Sequence, residues 1–296
     1  MSKNIVTEEL KNLLDEKKDI TQQTRTNYIN QYNKIYEITK SPLSELDQNE
    51  IKNAIINASF NSRTPVQDRK ESDLKPTNIW VYLNIAIMIL KNEGKPYNHL
   101  DDWREEMKEK RSSHTQKTND DKELPSFKEL EKFTNQLYED GKYRDYIINK
   151  LLLTLGLRNK DLNLTIVDKE PDDVSKNYLI VKNSILVELQ INDFKTVKKY
   201  GEKELVIRNK KLATASRNLV GTHLLDNSSV IQKFIMRRLY KHNGKNLSEG
   251  DYFKILVKHL LKQDNSIQLL RQISDSRGTD VDTILKYYNI QGSKSG

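Results

Sequence analysis

The chain has 296 residues, enough for two domains of ordinary size, each with its own core. Fifty Lys and Arg against 42 Asp and Glu give a formal net charge of +8, which favours a polyanionic partner. There is no cysteine, so disulfides and thiolate zinc sites are excluded, and the five histidines (99, 114, 223, 242 and 259) lack metal-ligand spacing. The longest apolar run, Ile79 to Leu90, is interrupted by Asn84 and too short for a bilayer. Met-Ser-Lys-Asn leads into an amphipathic segment rather than a signal peptide, so a soluble, intracellular protein is expected.

The first hundred or so residues read as helices. Val6, Leu10, Leu13 and Leu14 recur at helical spacing, and Thr24 is an N-cap candidate for a helix whose Tyr28, Tyr32, Ile35 and Tyr36 share a face. Pro42 ends it. Leu46, Ile51, Ile55 and Ile56 mark a third helix, followed by a polar loop, 61–73, that carries Arg63, Arg69 and Lys70. The segment Pro76 to Leu90 is apolar on nearly every side, as suits the central helix of a small bundle. The tyrosines are expected in the core, since stacking on bases would need them at the surface.

From Lys108 to Lys122 the apolar residues run out, which predicts an interdomain linker over 108–123 between domains at 1–107 and 124–296. Ser126, with Glu129 three residues on, predicts a capping box opening a helix through Leu130, Phe133 and Leu137. Asp140-Gly141 stops that helix, and the next, 142–157, delivers Arg158 from an otherwise uncharged run, Leu-Leu-Leu-Thr-Leu-Gly-Leu. A guanidinium held there by a packed stem could grip an anion with two parallel hydrogen bonds, or pair with Asp161 in a surface turn. Then the period becomes extended: Leu164–Val167, Tyr178–Val181 and Ile185–Leu189 predict a three-stranded sheet, with a further strand at Glu204–Ile207. Helices return from about Asn209 to Tyr288.

Gly156-Leu157-Arg158-Asn159-Lys160-Asp161-Leu162 resembles the Gly-Leu-Arg-x-x-Glu-Leu signature around the first catalytic arginine of tyrosine recombinases, whose catalytic domain is shared with type IB topoisomerases. Phe194-Lys195-Thr196, between two strands, resembles the family hairpin whose lysine is the general acid, with Lys195 in that place. Gln268-Leu269-Leu270-Arg271-Gln272 is similar to the His-x-Leu-Arg-His motif with glutamine at both histidines. His259-Leu260-Leu261-Lys262 keeps histidine but has lysine for arginine. Arg271 is preferred, because a fork of donors suits a pentacoordinate phosphorus better than an ammonium does. The last stretch, 273–289, resembles the family terminus bearing the nucleophilic tyrosine, with Tyr288 in that place and Tyr287 as the alternative. Arg277 stands eleven residues before Tyr288. That is where the family carries a histidine or tryptophan; counted from Arg271 the tyrosine arrives short of the usual separation, so either Arg277 is the second arginine and the C-terminal segment is abbreviated, or the family's tyrosine lies beyond this stretch.

The resemblance implies an α+β, mainly α chain: an N-terminal helical core-binding bundle and a C-terminal tyrosine-recombinase catalytic domain with a small antiparallel three-stranded sheet. It implies a site-specific recombinase or integrase of viral or mobile-element type acting through a 3′-phosphotyrosyl intermediate. Double-stranded DNA would be the partner and a homotetramer the assembly, with no cofactor, metal, membrane or small-molecule substrate. Lys198, Lys199, Arg63, Arg69 and Lys70 are the expected DNA contacts. A type IB topoisomerase, and a non-catalytic DNA-binding protein on a degenerate recombinase fold, remain alternatives.

Overall fold

The computed structural model describes residues 7–60, 65–70, 73–120, 123–193, 201–226, 228 and 230–287, with 66, 112–120, 286 and 287 described for the backbone only. The chain is α+β and mainly helical, in two compact units, Met1–Asp121 and Lys122–Gly296. Among the described residues no helix is long and apolar enough to cross a membrane.

The first unit is helical: α1 (Glu8–Glu16), α2 (Gln22–Thr39), α3 (Gln48–Ser59), α4 (Pro76–Asn92) and α5 (Asn98–Asp120). The apolar α4 is its centre, packing against the other four and burying Ile79, Leu83, Ile85, Ile89 and Leu90. Tyr32 is fully buried, and its hydroxyl donates to Glu9 Oε1 at 2.6 Å. The N-cap of α2 is Thr21, three residues before the expected Thr24. Thr24 supplies the N–H that the Thr21 hydroxyl accepts. A larger departure is the expected linker: α5 runs as helix through 108–120. Alternating charges at helical spacing support its exposed turns, with Arg104–Asp101 at 2.8 Å, Lys108–Glu105 at 2.7 Å and Lys110–Glu106 at 2.5 Å.

The second unit opens with α6 (Phe127–Glu139) and α7 (Tyr143–Leu155). The Ser126–Glu129 capping box forms in both directions. Four strands follow in the order β1 (Leu164–Val167), β2 (Asn177–Val181), β3 (Leu186–Ile191) and β4 (Lys203–Arg208). The sheet is therefore four-stranded and mixed, where three antiparallel strands were expected: β1 pairs parallel with β2, and the other two pairs are antiparallel. The connection 168–176 explains the parallel pair, because its nine residues can carry the chain back along a four-residue strand of roughly 13 Å. Helices α8 (Lys210–Arg217), α9 (Ile231–Met236), α10 (Glu249–Leu260), α11 (Ser266–Arg277) and α12 (Val281–Tyr287) complete the unit. A two-residue hairpin, β5 (Lys241–His242) with β6 (Lys245–Asn246), precedes α10. It turns on Asn243 and Gly244, both at positive φ as a tight hairpin turn requires.

Candidate cationic site

Helix α7 is buried along Tyr146, Ile147, Ile148, Leu151 and Leu152 and ends at Gly156, whose φ of +61° closes it in the left-handed conformation. Only glycine fits there on a second count: a Cβ would lie 2.7 Å from two ring carbons of Phe253. Leu157 then anchors in the core and Arg158 begins a short 3-10 turn, Asn159–Leu162. The Arg158 N–H donates to Asp161 Oδ2 at 2.9 Å, so the two residues are joined through backbone rather than by a surface ion pair.

The Arg158 side chain reaches the end of α11, where Nη1 donates to the Arg277 carbonyl at 2.5 Å and Nη2 to the Gly278 carbonyl at 3.4 Å. Arg277 returns the contact. Its Nη1 donates to the carbonyls of Gly156 at 2.6 Å and Leu157 at 3.3 Å. Each arginine thus caps the carboxyl end of the helix from which the other emerges, where unpaired carbonyls and the helix dipole favour a cation. Arg277 is only 9 % exposed. It lies over the Phe253 ring at 4.0 Å and pairs through Nη2 with Glu249 Oε1 at 2.6 Å. The other Glu249 oxygen accepts the Asn159 N–H at 3.1 Å, which ties the start of α10 to the same turn.

A third cation enters from the sheet. Register places Lys203 opposite Ile191 at the start of β4, and its Nζ donates to the Ser276 carbonyl at 3.1 Å. Burial brings the Lys203 ammonium down to about 8; Asp161 pulls it back up and Arg158 pushes it further down. Burial raises Asp161 above the usual carboxylate range, against the Arg158 N–H bond and the charges of Arg158, Lys203 and Arg277. Three cations and a nearly buried carboxylate therefore share one electrostatic neighbourhood.

Of the residues singled out from sequence, Arg158 and Arg277 are brought together. Arg271 lies six residues before Arg277 on α11, about 9 Å along the axis and roughly 240° around it, and is exposed. His259 and Lys262 sit at the far end of α10 from Glu249, and His259 stacks flat on Phe127 at 3.9 Å. Tyr287 ends α12, its side chain not among those described. Tyr288, Lys195, Lys198, Lys199 and Arg63 lie outside the described residues. In the first unit Arg69 lies over the Phe60 ring at 5.4 Å, and exposed Lys70 donates its N–H to Asp73 Oδ2 at 3.3 Å. Glu249 has no signal in the sequence, and Lys203 stands there only as one of four lysines, with Lys195, Lys198 and Lys199, of a basic hairpin tip that could touch phosphates. Nothing in the local pattern sets Lys203 apart from the other lysines of its hairpin; only register does. Lys34 has no sequence signal either; its Nζ donates to the Phe60 carbonyl at 3.1 Å and lies over the Tyr82 ring at 5.3 Å.

No protein-family model matches the sequence, and no curated protein matches it either. Among solved structures, the crystal structure of XerA recombinase is similar over 97 % of this chain and 95 % of that one, at 14 % identity and a TM-score of 0.33. That score is too low to argue a common fold, so any functional reading rests on the side chains of this chain.

Proposed function

We propose that this protein binds duplex DNA and cuts and rejoins its backbone through a phosphotyrosyl link, as a site-specific recombinase. The observation that carries the reading is the convergence of Arg158, Arg277 and Lys203 from three separate parts of the second unit. A backbone phosphate arriving there would meet half-exposed Arg158 and Lys203, with Arg277 and Glu249 beneath them fixing the Arg158 fork. The phenolate oxygen of Tyr288, or of Tyr287, would attack phosphorus. A 3′-phosphotyrosyl bond would form, the bond to the 5′ oxygen would break, and that oxygen would take a proton from a lysine. Lys203 suits the donor role because an ammonium brought down to about 8 gives up its proton more readily than an ordinary lysine. Lys195, on the same hairpin, is the other candidate. The covalent link conserves the phosphodiester energy, so the chemistry needs neither nucleotide nor metal. Recombination between two duplexes would engage four protomers.

One observation favours a second reading, that of a non-catalytic DNA-binding protein: both guanidiniums are spent on main-chain carbonyls, and Arg277 is already neutralised by Glu249. A nicked suicide duplex separates the two. The wild type should leave a protein–DNA adduct stable to denaturant, lost in either Tyr288→Phe or Tyr287→Phe but not in both, and reduced at least about a hundredfold in Lys203→Ala or Lys195→Ala. If the wild type yields no adduct, the binding protein is the better description. An adduct accompanied by relaxation of supercoils without exchange between duplexes would point to a type IB topoisomerase.

A further inference from the structure

A concavity of about 410 Å³ lies within the second unit, between the start of α6 and the end of α10, well away along α10 from Glu249. Its apolar lining is Leu124, Pro125, Phe127 and Ile255, with the His259 ring laid over Phe127. Around it stand Lys128 from α6 and Lys258 and Lys262 from α10 and the turn after it, all exposed. Among the described residues none of these three lysines has a carboxylate within 4.0 Å. The nearby Glu129 is held by the N–H and hydroxyl of Ser126, both at 2.8 Å. The Ser126 hydroxyl is thereby committed, which leaves the three lysine ammoniums and the His259 ring around the apolar floor. That shape and charge suit an apolar side chain flanked by carboxylates.

The same chain presents such a segment. The connection from β1 to β2 reads Asp-Lys-Glu-Pro-Asp-Asp-Val-Ser-Lys over 168–176. Val174 there is 66 % exposed, directly after exposed Asp172 and half-buried Asp173. Asp173 fixes the turn, accepting the Ser175 N–H at 3.0 Å and pairing with Lys176 at 2.7 Å, which leaves Asp172 as the carboxylate beside Val174, and Pro171 restricts the approach, so the tip is shaped before it meets anything.

We infer that the β1–β2 loop of one copy, led by Val174 and Asp172, docks in the lysine-rimmed concavity of a second copy. The contact is heterologous, the loop and the pocket being different surfaces, so it joins copies head to tail into rings or open chains. One loop in one pocket buries little area, and the association is expected to be weak and salt-sensitive. It does not depend on the phosphotyrosyl chemistry.

Charge exchange tests it on the full chain without DNA. Sedimentation velocity on wild-type protein, up to concentrations on the order of 100 µM, should show reversible association weakened by added salt. The pocket variant Lys258→Glu/Lys262→Glu and the loop variant Asp172→Lys/Val174→Lys should each weaken self-association more than about tenfold. An equimolar mixture of the two variants should associate again, because each then meets an opposite charge on the other, and this recovery also proves both variants folded. A wild type that stays monomeric, association indifferent to both reversals, or a mixture that stays as weak as its components overturns the inference. The adduct on a nicked duplex is read separately, so the failure of either reading is distinguishable from that of the other.

Discussion

In the second unit Arg277 is nearly buried and faces Glu249 at 2.6 Å, with Arg158 and Lys203 gathered round buried Asp161. In the first unit Lys34 and Arg69 lie against the rings of Tyr82 and Phe60, and burial followed by the charge of Arg69 holds the Lys34 ammonium below the ordinary lysine range. The difference teaches what each set of cations is built to do. A guanidinium tied to two carbonyls at a helix end and to a carboxylate is part of the architecture, and moving it costs stability first. The Lys34 ammonium rests on a ring and a carbonyl, with no carboxylate paired to it among the described residues, so removing it should be felt first by an anionic partner.

The sharpest way to break this contrast is Arg277→Ala. It leaves Glu249 without its partner in a nearly closed setting and strips the carbonyls of Gly156 and Leu157, so unfolding should become easier by about 3–5 kcal/mol. Denaturant titration checks it. An unchanged midpoint would mean that Arg277 is not structural and that its charge is reserved for a ligand. Gly156→Ala comes next: an alanine at φ +61° carries backbone strain and its Cβ meets the Phe253 ring, together about 2–4 kcal/mol. Combining it with Phe253→Leu should cost less than the sum of the two single changes, since the shorter side chain clears the ring carbons that the Cβ meets. Strict additivity would show that the close approach is not what constrains the glycine.

These two residues also mark what the sequence discloses. The Ser126–Glu129 box is legible for a local reason; the left-handed cap at Gly156 also has a local signal, glycine after an apolar helical run, yet the helix expected over 142–157 runs past it and the structure stops that helix at Leu155. The choice between Arg271 and Arg277 is not legible by motif. It depends on which face of α11 meets α7, and six residues along a helix turn a side chain through about 240°. Lys203 is hidden more deeply. A strand lysine gains its meaning from register and from the far end of α11, and a register shift of one residue would turn it to the other face of the sheet. The helical course of 108–120 has no apolar periodicity to announce it, and among the described side chains Lys108 and Lys110, paired with Glu105 and Glu106, support its first turn. The parallel β1–β2 pair was missed because a nine-residue connection is short for a crossover.

A smaller effect belongs to pH. Lys203 has its folded-state value lowered to about 8 from 10.5, so between those pH values the unfolded chain binds more protons than the folded one and stability rises with pH. Below pH 8 the cost of keeping the ammonium charged in the fold is fully present; above about 10.5 it is gone. Lys203→Met removes this cost at neutral pH, so the wild type should gain on the variant as pH is raised from 7 to 10. Matched denaturation curves at the two ends of that range check it. A difference that stays flat across the range would place Lys203 in water, outside the cationic site.

The smallest effect is asked of the first unit. On the DNA-binding reading, Lys34→Met should leave unfolding stability within roughly 1 kcal/mol, since the lost bond to the Phe60 carbonyl is offset by relief of the burial of a charge and of the repulsion from Arg69. Its mark should appear in binding instead. One phosphate contact fewer lowers the slope of log affinity against log salt by about 0.9, uniformly across DNA sequences. Arg277→Ala, where it still folds, should leave that slope nearly as it was, and this opposition between the two variants is the comparison in its measurable form. If Lys34→Met leaves the slope unchanged and lowers the midpoint, Lys34 is a tether for the end of α3. The aromatic-backed cations would then be architecture of the same kind as those at the α7–α11 junction.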